Sequence, residues 1–297
     1  MGEAFGERLV DAVARSGPLC AGIDPSAALL GAWGLPDDAD GLRAFGAACV
    51  EAFAGAVPVV KPQVAFYERH GSAGLAALET LIAEASAAGL LVVADAKRGD
   101  IDSTSEAYAD AWLGRSSRLA ADAVTATPYL GLGSLEPLFR TALANGRGVF
   151  VVVRSSNPEG RTVQAAVVQA AVVQGTGEPE TVEDSMLAAI ARRNADAGAG
   201  AGGGGGVGSI GAVVGATLQP SSFALADLGG PLLAPGVGAQ GGTAQAVGKL
   251  FAGCRPGTVL PNVSRSVLAA GPSVDALRAA AVAARDEVAA ALGRKWL

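Results

Sequence analysis

The stretch LLVVADAKRGDIDST, residues 90–104, decides the reading of the fold. It begins as an apolar run, passes into a dense cluster of acidic and basic residues, and ends in hydroxyl residues that suit the start of a helix. An apolar run that stops abruptly at charged residues is typical of a parallel strand buried on both faces. Ser103 and Glu106 have the spacing of a helix capping box, so we expect a helix to begin at that point.

The same pattern recurs along the whole chain. Eight short apolar runs are separated by longer segments, and the runs cover residues 19–23, 57–60, 90–94, 123–126, 149–153, 210–214, 232–234 and 258–263. Among the intervening segments, helical patterns are clearest at residues 42–56, 73–88, 104–113, 181–196 and 274–292. Eight buried strands alternating with helices predict an α/β fold, a (β/α)8 TIM barrel that forms a single domain over residues 1–297.

One connection is too long for a simple barrel. Between the fifth and sixth runs, residues 158–209 contain a direct repeat of QAAVV and a run of five glycines. Connections of this length are uncommon in compact domains, so we expect a long Gly-rich insertion between strands 5 and 6.

Composition excludes several classes of protein. The 297 residues include 22 Lys and Arg against 28 Asp and Glu, a net charge of −6 that disfavours binding to nucleic acid. A single histidine, His70, excludes metal sites built from two histidines, and three widely spaced cysteines argue against a disulfide framework. The acidic N-terminus does not resemble a signal peptide, and the uncharged residues 197–226 contain too much glycine for a membrane span. We therefore expect a cytoplasmic protein with no membrane partner.

Charged residues end three consecutive apolar runs. Asp24 follows the first run, Lys61 the second and Asp95 the third, and Lys97 and Asp100 come shortly after Asp95. In a TIM barrel the active site forms at the carboxyl ends of the strands, so these side chains are the catalytic candidates. Asp95 and Lys97 are two residues apart and point to the same side if the strand continues through them. Each residue alone also suits a helix cap or a solvated strand end, but the combination favours a reactive charge network.

The last two runs predict a phosphate site. A glycine-rich turn at residues 235–242 follows the seventh run, and Arg265 follows the eighth. Loops after strands 7 and 8 of TIM barrels commonly bind phosphate through backbone N–H groups, and an arginine supplies a matching fork of donors.

These residues carry a resemblance to a known family. Residues 95–104 resemble the D-x-K-x-x-D-I-x-x-T motif of the orotidine 5′-phosphate decarboxylases, and the residues after the other strands sit where that family would have them. The length of the chain, residues 61–63 and residues 235–242 resemble the larger bacterial subgroup of the family. The resemblance implies decarboxylation of orotidine 5′-phosphate to uridine 5′-phosphate in pyrimidine biosynthesis, without a metal or an organic cofactor. It also implies a homodimer with shared active sites, in which Asp100, Ile101 and Thr104 reach the site of the partner.

The resemblance further implies a role for each of the remaining candidates. Lys97 would protonate the pyrimidine carbanion and Asp95 would orient Lys97, while Asp24 and Lys61 would engage the ribose hydroxyls. Ser155, with Ser156 as the alternative, would read the pyrimidine edge. The phosphate side would consist of four residues: Pro235, Gln240, Gly241 and Arg265.

Three other functions compete with this interpretation. A hexulose-phosphate synthase would use the same scaffold with a divalent metal and would need a further metal-binding acid near the early strands. A Schiff-base enzyme would use Lys97 as a nucleophile, although two flanking carboxylates would keep that amine protonated. A non-catalytic nucleotide-binding barrel would leave the buried charges without a purpose.

Overall fold

The computed structural model describes residues 3–172, 179–199, 205–220, 223–238 and 241–293. The strands in these residues are β1 (Cys20–Ile23), β2 (Val59–Pro62), β3 (Leu91–Arg98), β4 (Ala123–Ala126), β5 (Gly148–Arg154), β6 (Val167–Val172), β7 (Pro179–Thr181), β8 (Ile210–Val214), β9 (Leu232–Pro235) and β10 (Val259–Val263). The helices are α1 (Phe5–Ser16), α2 (Ala27–Ala32), α3 (Ala39–Phe53), α4 (Ala65–Glu68), α5 (Gly71–Ala87), α6 (Asp102–Leu113), α7 (Glu136–Asn145), α8 (Arg161–Gln164), α9 (Val182–Asp196), α10 (Ala244–Leu250), α11 (Arg265–Leu268) and α12 (Val274–Ala291).

Eight strands close into a barrel in the order β1-β10-β9-β8-β5-β4-β3-β2, and β6 and β7 form a separate antiparallel pair. Neighbouring strands of the barrel run parallel, and most of their residues are buried. The eight predicted apolar runs coincide with these strands, so the (β/α)8 TIM barrel is confirmed. The reason is physical: a parallel strand covered by helices outside and side chains inside has no face for polar residues.

A helix that the sequence analysis did not predict covers one end of the barrel. Phe5, Leu9 and Val13 of α1 pack with the side chains that fill the barrel interior. The Phe5 ring meets Phe150 of β5 edge to face, with 6.0 Å between ring centroids. Because α1 occupies this end, a ligand has access from the opposite end, where the strands terminate.

Only the first part of the connection between β5 and β8 is an insertion, and its last helix belongs to the barrel. Residues 158–164 form a 3-10 turn and α8, the β6-β7 pair follows, and α9 then packs on β5 and β8 as a barrel helix does. Asn194 anchors α9, because its side-chain amide donates to the carbonyl oxygen of Ile210 at 2.8 Å. The first QAAVV copy leads into β6, whereas parts of the second copy and of the glycine run lie outside the described residues.

The predicted capping box at Ser103 is wrong. Helix α6 begins at Asp102, so Ser103 lies within its first turn, and Ile101 precedes the helix without a side-chain cap. Lys97 and Asp102 have φ angles of 48° and 47°, an uncommon backbone region for residues other than glycine. Lys97 lies at the end of β3 and Asp102 is the first residue of α6, so the chain turns at these two residues and the helix starts one residue before the expected cap.

Candidate active site

The carboxyl ends of the barrel strands surround one cavity with a volume of about 260 Å³. Seven of the twelve residues predicted from the sequence line this cavity: Asp24, Lys61, Asp95, Lys97, Ser155, Pro235 and Arg265. They come from six different strand ends, which only closure of the barrel brings together. The cavity thus brings together Asp24, Lys61, Asp95 and Lys97 with Arg265 and the start of the glycine-rich turn.

Asp95 is the centre of the charge network. Its carboxylate accepts a hydrogen bond from Lys61 Nζ at 2.8 Å on one oxygen and from Lys97 Nζ at 2.5 Å on the other. The side chains of Asp95 and Lys61 are 9% and 5% exposed, whereas that of Lys97 is 47% exposed. One buried carboxylate therefore holds one buried ammonium and one ammonium that faces solvent.

Thr125 of β4 completes this arrangement. Its hydroxyl donates to the Asp95 oxygen that Lys97 also contacts, at 2.9 Å, and it accepts from the backbone N–H of Lys97, also at 2.9 Å. The β3-β4 register shifts between Ala94 and Arg98, and this irregularity accompanies the positive φ of Lys97. Thr125 thus fixes both the carboxylate and the backbone that carries Lys97.

The buried pair is ionised. Burial by itself raises the pKa of Asp95, but the Lys61 and Lys97 ammoniums outweigh it, so the pKa lies well below the usual range of a carboxyl. Burial by itself lowers the pKa of Lys61, but the carboxylates of Asp95 and Asp24 together raise it above that of an ordinary lysine. At neutral pH Asp95 and Lys61 are therefore both charged.

Asp24, at the end of β1, presents an unused acceptor to the cavity. Its Oδ1 is buried and has no hydrogen-bond partner among the described residues. A buried carboxylate oxygen without a partner is costly, so a ligand that donates a hydrogen bond to it would be stabilised there. Hydroxyl groups of a sugar have this property.

The opposite side of the cavity suits an anion. Pro235 ends β9, Gly236 and Val237 follow it, and only Ser264 separates β10 from Arg265 at the start of α11. Gly236 and Gly238 have φ angles of 102° and 78°, a region that glycine adopts without strain. Gly241 is described but does not line the cavity, and Gln240 lies outside the described residues.

Ser155 and Ser156 follow β5 and line the cavity beside the apolar side chains of Val152, Val213 and Leu233. Both serines line the cavity, so their position does not decide which of them reads the pyrimidine edge. A flat apolar surface with hydroxyls at its edge suits a heterocyclic base.

Three predicted residues lie outside the cavity. Asp100, Ile101 and Thr104 do not line it, Ile101 is 51% exposed, and the Asp100 carboxylate accepts from the Ile101 backbone N–H at 2.8 Å. Within a single chain, these three residues therefore contribute neither to the cavity nor to the hydrophobic core.

The sequence analysis missed four polar residues that line the cavity: Gln63, Thr125, Asn262 and Ser264. Thr125 and Asn262 are buried polar residues within apolar runs, and this interruption was the signal that could have identified them. Asn262 donates to the carbonyl oxygen of Cys20 at 2.9 Å and so ties β10 to β1.

Two further observations apply only to the part of the chain that the structure describes. No group of three or more His, Cys, Asp or Glu side chains is arranged to hold a metal ion. No helix has the length and apolar character needed to cross a membrane.

Comparisons with known proteins show the family to which the chain belongs. A family model described as the orotidine 5′-phosphate decarboxylase / HUMPS family matches residues 17–280. The chain is 51% identical over 280 residues to an orotidine 5′-phosphate decarboxylase of Corynebacterium efficiens, covering 94% of this chain and 95% of that protein.

Solved structures show the same likeness. A Streptomyces avermitilis protein provisionally assigned as an orotidine 5′-phosphate decarboxylase is 50% identical, with a TM-score of 0.88 over 99% of this chain and 97% of that chain. The OMP decarboxylase of Leishmania donovani is 28% identical, with a TM-score of 0.73 over 98% and 100% of the two chains. The resemblance inferred from residues 95–104 is thereby confirmed, and the chain belongs to the orotidine 5′-phosphate decarboxylase / HUMPS family.

Proposed function

We propose that this protein decarboxylates orotidine 5′-phosphate to uridine 5′-phosphate, a step of pyrimidine nucleotide biosynthesis. The identity of 51% to a curated decarboxylase over nearly the whole chain supports this reaction. The observation that carries the proposal is the Asp95 carboxylate between two ammoniums, in a cavity that Arg265 and the glycine-rich turn at the end of β9 also line. We also propose that the reaction needs no metal or organic cofactor and takes place in the cytoplasm.

Lys97 is the proton donor in this proposal. When the bond between pyrimidine C6 and the carboxylate breaks, carbon dioxide leaves and the electron pair stays on C6. The Lys97 ammonium then transfers a proton to C6, and solvent returns a proton to the amine, because the Lys97 side chain is half exposed. A fixed ammonium also stabilises the developing carbanion before the transfer, and this preorganised charge supplies most of the rate enhancement.

Asp95 has two roles in the proposal. It holds the Lys97 side chain in one direction through the 2.5 Å hydrogen bond. It also places a negative charge next to the part of the cavity where, in this proposal, the substrate carboxylate binds. A substrate carboxylate bound there lies near a like charge that its departure relieves. Lys61 and Asp24 bind the ribose hydroxyls, since the Asp24 Oδ1 has room for a donor.

Phosphate and base occupy the other parts of the cavity. Arg265 and backbone N–H groups of the glycine-rich turn at residues 235–242, including that of Gly241, bind the phosphate, and Pro235 fixes the start of this turn. Gln240 bridges the phosphate and the base. Ser155 reads the pyrimidine edge.

The active form in this proposal is a homodimer. Asp100, Ile101 and Thr104 lie outside the cavity of their own chain, and the exposed Ile101 is available to a second copy. We propose that these three residues complete the partner's site. Neither nucleic acid nor a membrane has a part in this function.

The test is the loss of the orotate absorbance when chelator-treated protein is mixed with orotidine 5′-phosphate. We expect turnover by the unaltered protein, and a loss of at least about a thousandfold in Lys97→Ala, because proton donation and carbanion stabilisation disappear together. Lys249→Ala is the matched control, since Lys249 is exposed on α10 away from the cavity.

Two results would contradict the proposal. Turnover that survives in Lys97→Ala would remove Lys97 from its role as proton donor. The second result is a folded protein that leaves the orotate absorbance unchanged but cleaves a hexulose phosphate when a divalent metal is added. That result would mean that the protein is a hexulose-phosphate synthase.

A further inference from the structure

Arg98, the last residue of β3, is held on the outside of the barrel. Its guanidinium forms an ion pair with the Glu68 carboxylate of α4. The guanidinium carbon also lies 5.7 Å from the ring centroids of both Tyr108 and Trp112 on α6. Arg98 does not line the cavity, and its side chain is 23% exposed. One side chain therefore joins α4 and α6 across the end of β3.

Lys97, directly before this arginine, has an unfavourable backbone conformation. Its φ angle of 48° lies in the left-handed region, which a residue with a side chain keeps only where surrounding contacts enforce it. Along the β4 edge, the Lys97 N–H donates to the Thr125 hydroxyl at 2.9 Å, and the Thr127 N–H donates to the Arg98 carbonyl oxygen at 2.8 Å. These hydrogen bonds hold the backbone on its β4 side.

The guanidinium contacts hold the same turn from outside the barrel. Successive side chains at a strand end point to opposite sides, so the inward direction of Lys97 and the outward direction of Arg98 depend on one backbone turn. A rotation that relaxed the φ angle of Lys97 would also move the guanidinium away from its carboxylate and its two rings. The contacts of Arg98 therefore oppose that rotation. This matters for Lys97 because its side chain is half exposed and is not enclosed by the core.

We propose that Arg98 is a positioning residue for the reaction: its contacts with α4 and α6 enforce the left-handed backbone of Lys97 and so hold the Lys97 ammonium at Asp95. The inference rests on the proposed function, in which Lys97 is the proton donor. Proton transfer depends steeply on where the ammonium lies. Binding of uridine 5′-phosphate depends instead on the phosphate, ribose and base contacts elsewhere in the cavity. A role in positioning therefore predicts a loss of kcat without a matching loss of product affinity.

The test measures kcat with saturating orotidine 5′-phosphate and, by calorimetry, the dissociation constant of uridine 5′-phosphate. Arg98→Met keeps an unbranched side chain but removes the guanidinium. We expect kcat to fall about 10- to 100-fold, because a misplacement of about 1 Å at the reacting atoms has an effect of this size. The dissociation constant should stay within about threefold. Arg98→Lys retains a charge that can pair with Glu68 and should recover part of the lost kcat, though not all, because it lacks the planar guanidinium.

Two further variants separate this role from a general effect of surface charge. Arg118→Met is the matched control, since Arg118 pairs with Glu79 at 2.9 Å, is 82% exposed and does not line the cavity, so its loss should leave kcat unchanged. Glu68→Gln removes the other half of the ion pair and should also lower kcat. The double variant Glu68→Gln with Arg98→Met should be no slower than Arg98→Met alone, because both changes remove the same contact.

The inference is overturned if kcat of Arg98→Met stays within about twofold of the unaltered protein, if product affinity falls by the same factor as kcat, or if the two single effects multiply in the double variant. Glu68→Gln is held to the first two criteria, so the test stands even if Arg98→Met does not fold. If one of these results is found while the unaltered protein turns over orotidine 5′-phosphate and Lys97→Ala does not, only the role of Arg98 is lost. If the unaltered protein does not turn over that substrate, the proposed function and the inference fail together.

Discussion

Replacing Asp95 by asparagine removes one negative charge from the centre of the network with little change in shape. The buried Lys61 ammonium then loses its charged partner at 2.8 Å, and its 5% exposure leaves almost no access to water. Lys97 loses the same partner, but its half-exposed side chain can be hydrated instead. The cost of Asp95→Asn therefore comes almost entirely from Lys61.

The magnitude follows from this burial. Removing one partner of a buried ion pair costs about 3–5 kcal/mol, and we take the lower end because Asp24 also faces Lys61. With an unfolding entropy of about 2.1 cal/mol/K per residue, a chain of this size loses roughly 5 °C in Tm for about 3 kcal/mol.

The pH dependence provides an independent check. The pKa of Asp95 in the folded protein is lowered, since the two ammoniums outweigh the opposing effect of burial. A group with a lowered pKa stabilises the fold above its unfolded pKa, about 3.9 for Asp, and this stability is lost as the pH falls through the folded value. The unaltered protein should therefore exceed Asp95→Asn in Tm by a constant amount from about pH 8 to pH 5. Below about pH 4 this difference in Tm should become smaller, because the unaltered protein loses the stabilisation.

Thermal unfolding followed by circular dichroism, at one protein concentration across this pH range, measures both effects. Asp11→Asn is the control, because Asp11 is exposed on α1 and its substitution should change stability by less than about 0.5 kcal/mol. A Tm of Asp95→Asn equal to or above that of the unaltered protein at neutral pH would refute the reasoning. It would mean that the buried charges destabilise the fold, as an ion pair can when desolvation exceeds its attraction.

Two further predictions concern binding and assembly. Arg265→Ala should weaken the binding of uridine 5′-phosphate by about 10- to 100-fold and leave uridine binding nearly unchanged, because we propose that the guanidinium contacts only the phosphate. Equal weakening of both ligands in calorimetry would put the phosphate elsewhere. Mixing Lys97→Ala with Asp100→Ala under conditions of subunit exchange should restore activity, since a mixed dimer contains one site with both residues intact; two inactive variants that stay inactive when mixed would count against sites shared between subunits.

The sequence was a good guide to the strands because burial on both faces is a local property. Each of the eight apolar runs became a barrel strand, and the charged residues that end the first three runs line the cavity. It was a poorer guide to α1, whose apolar stripe of Phe5, Leu9 and Val13 has no partner in the local sequence. It also misplaced the start of α6, because the turn at Lys97 and Asp102 depends on backbone angles that side-chain patterns do not reveal.

The site divides in the same way. Asp95 and Lys97 belong together by spacing alone, and the residue types around them already indicated a charge network without a metal-ligand pattern. That one Asp95 carboxylate serves both lysines, and that Thr125 holds it there, depends on β2, β3 and β4 lying side by side.

Local sequence determined which segments are buried, where they end and which charges they carry, because hydrophobic periodicity acts over a few residues. The tertiary structure alone decided which of those charges share a cavity, and it alone brought the Lys61 ammonium of β2 within 2.8 Å of the Asp95 carboxylate of β3. Such contacts are set by closure of the barrel, which brings distant strand ends within hydrogen-bond distance of one another, and no short stretch of the chain contains that information.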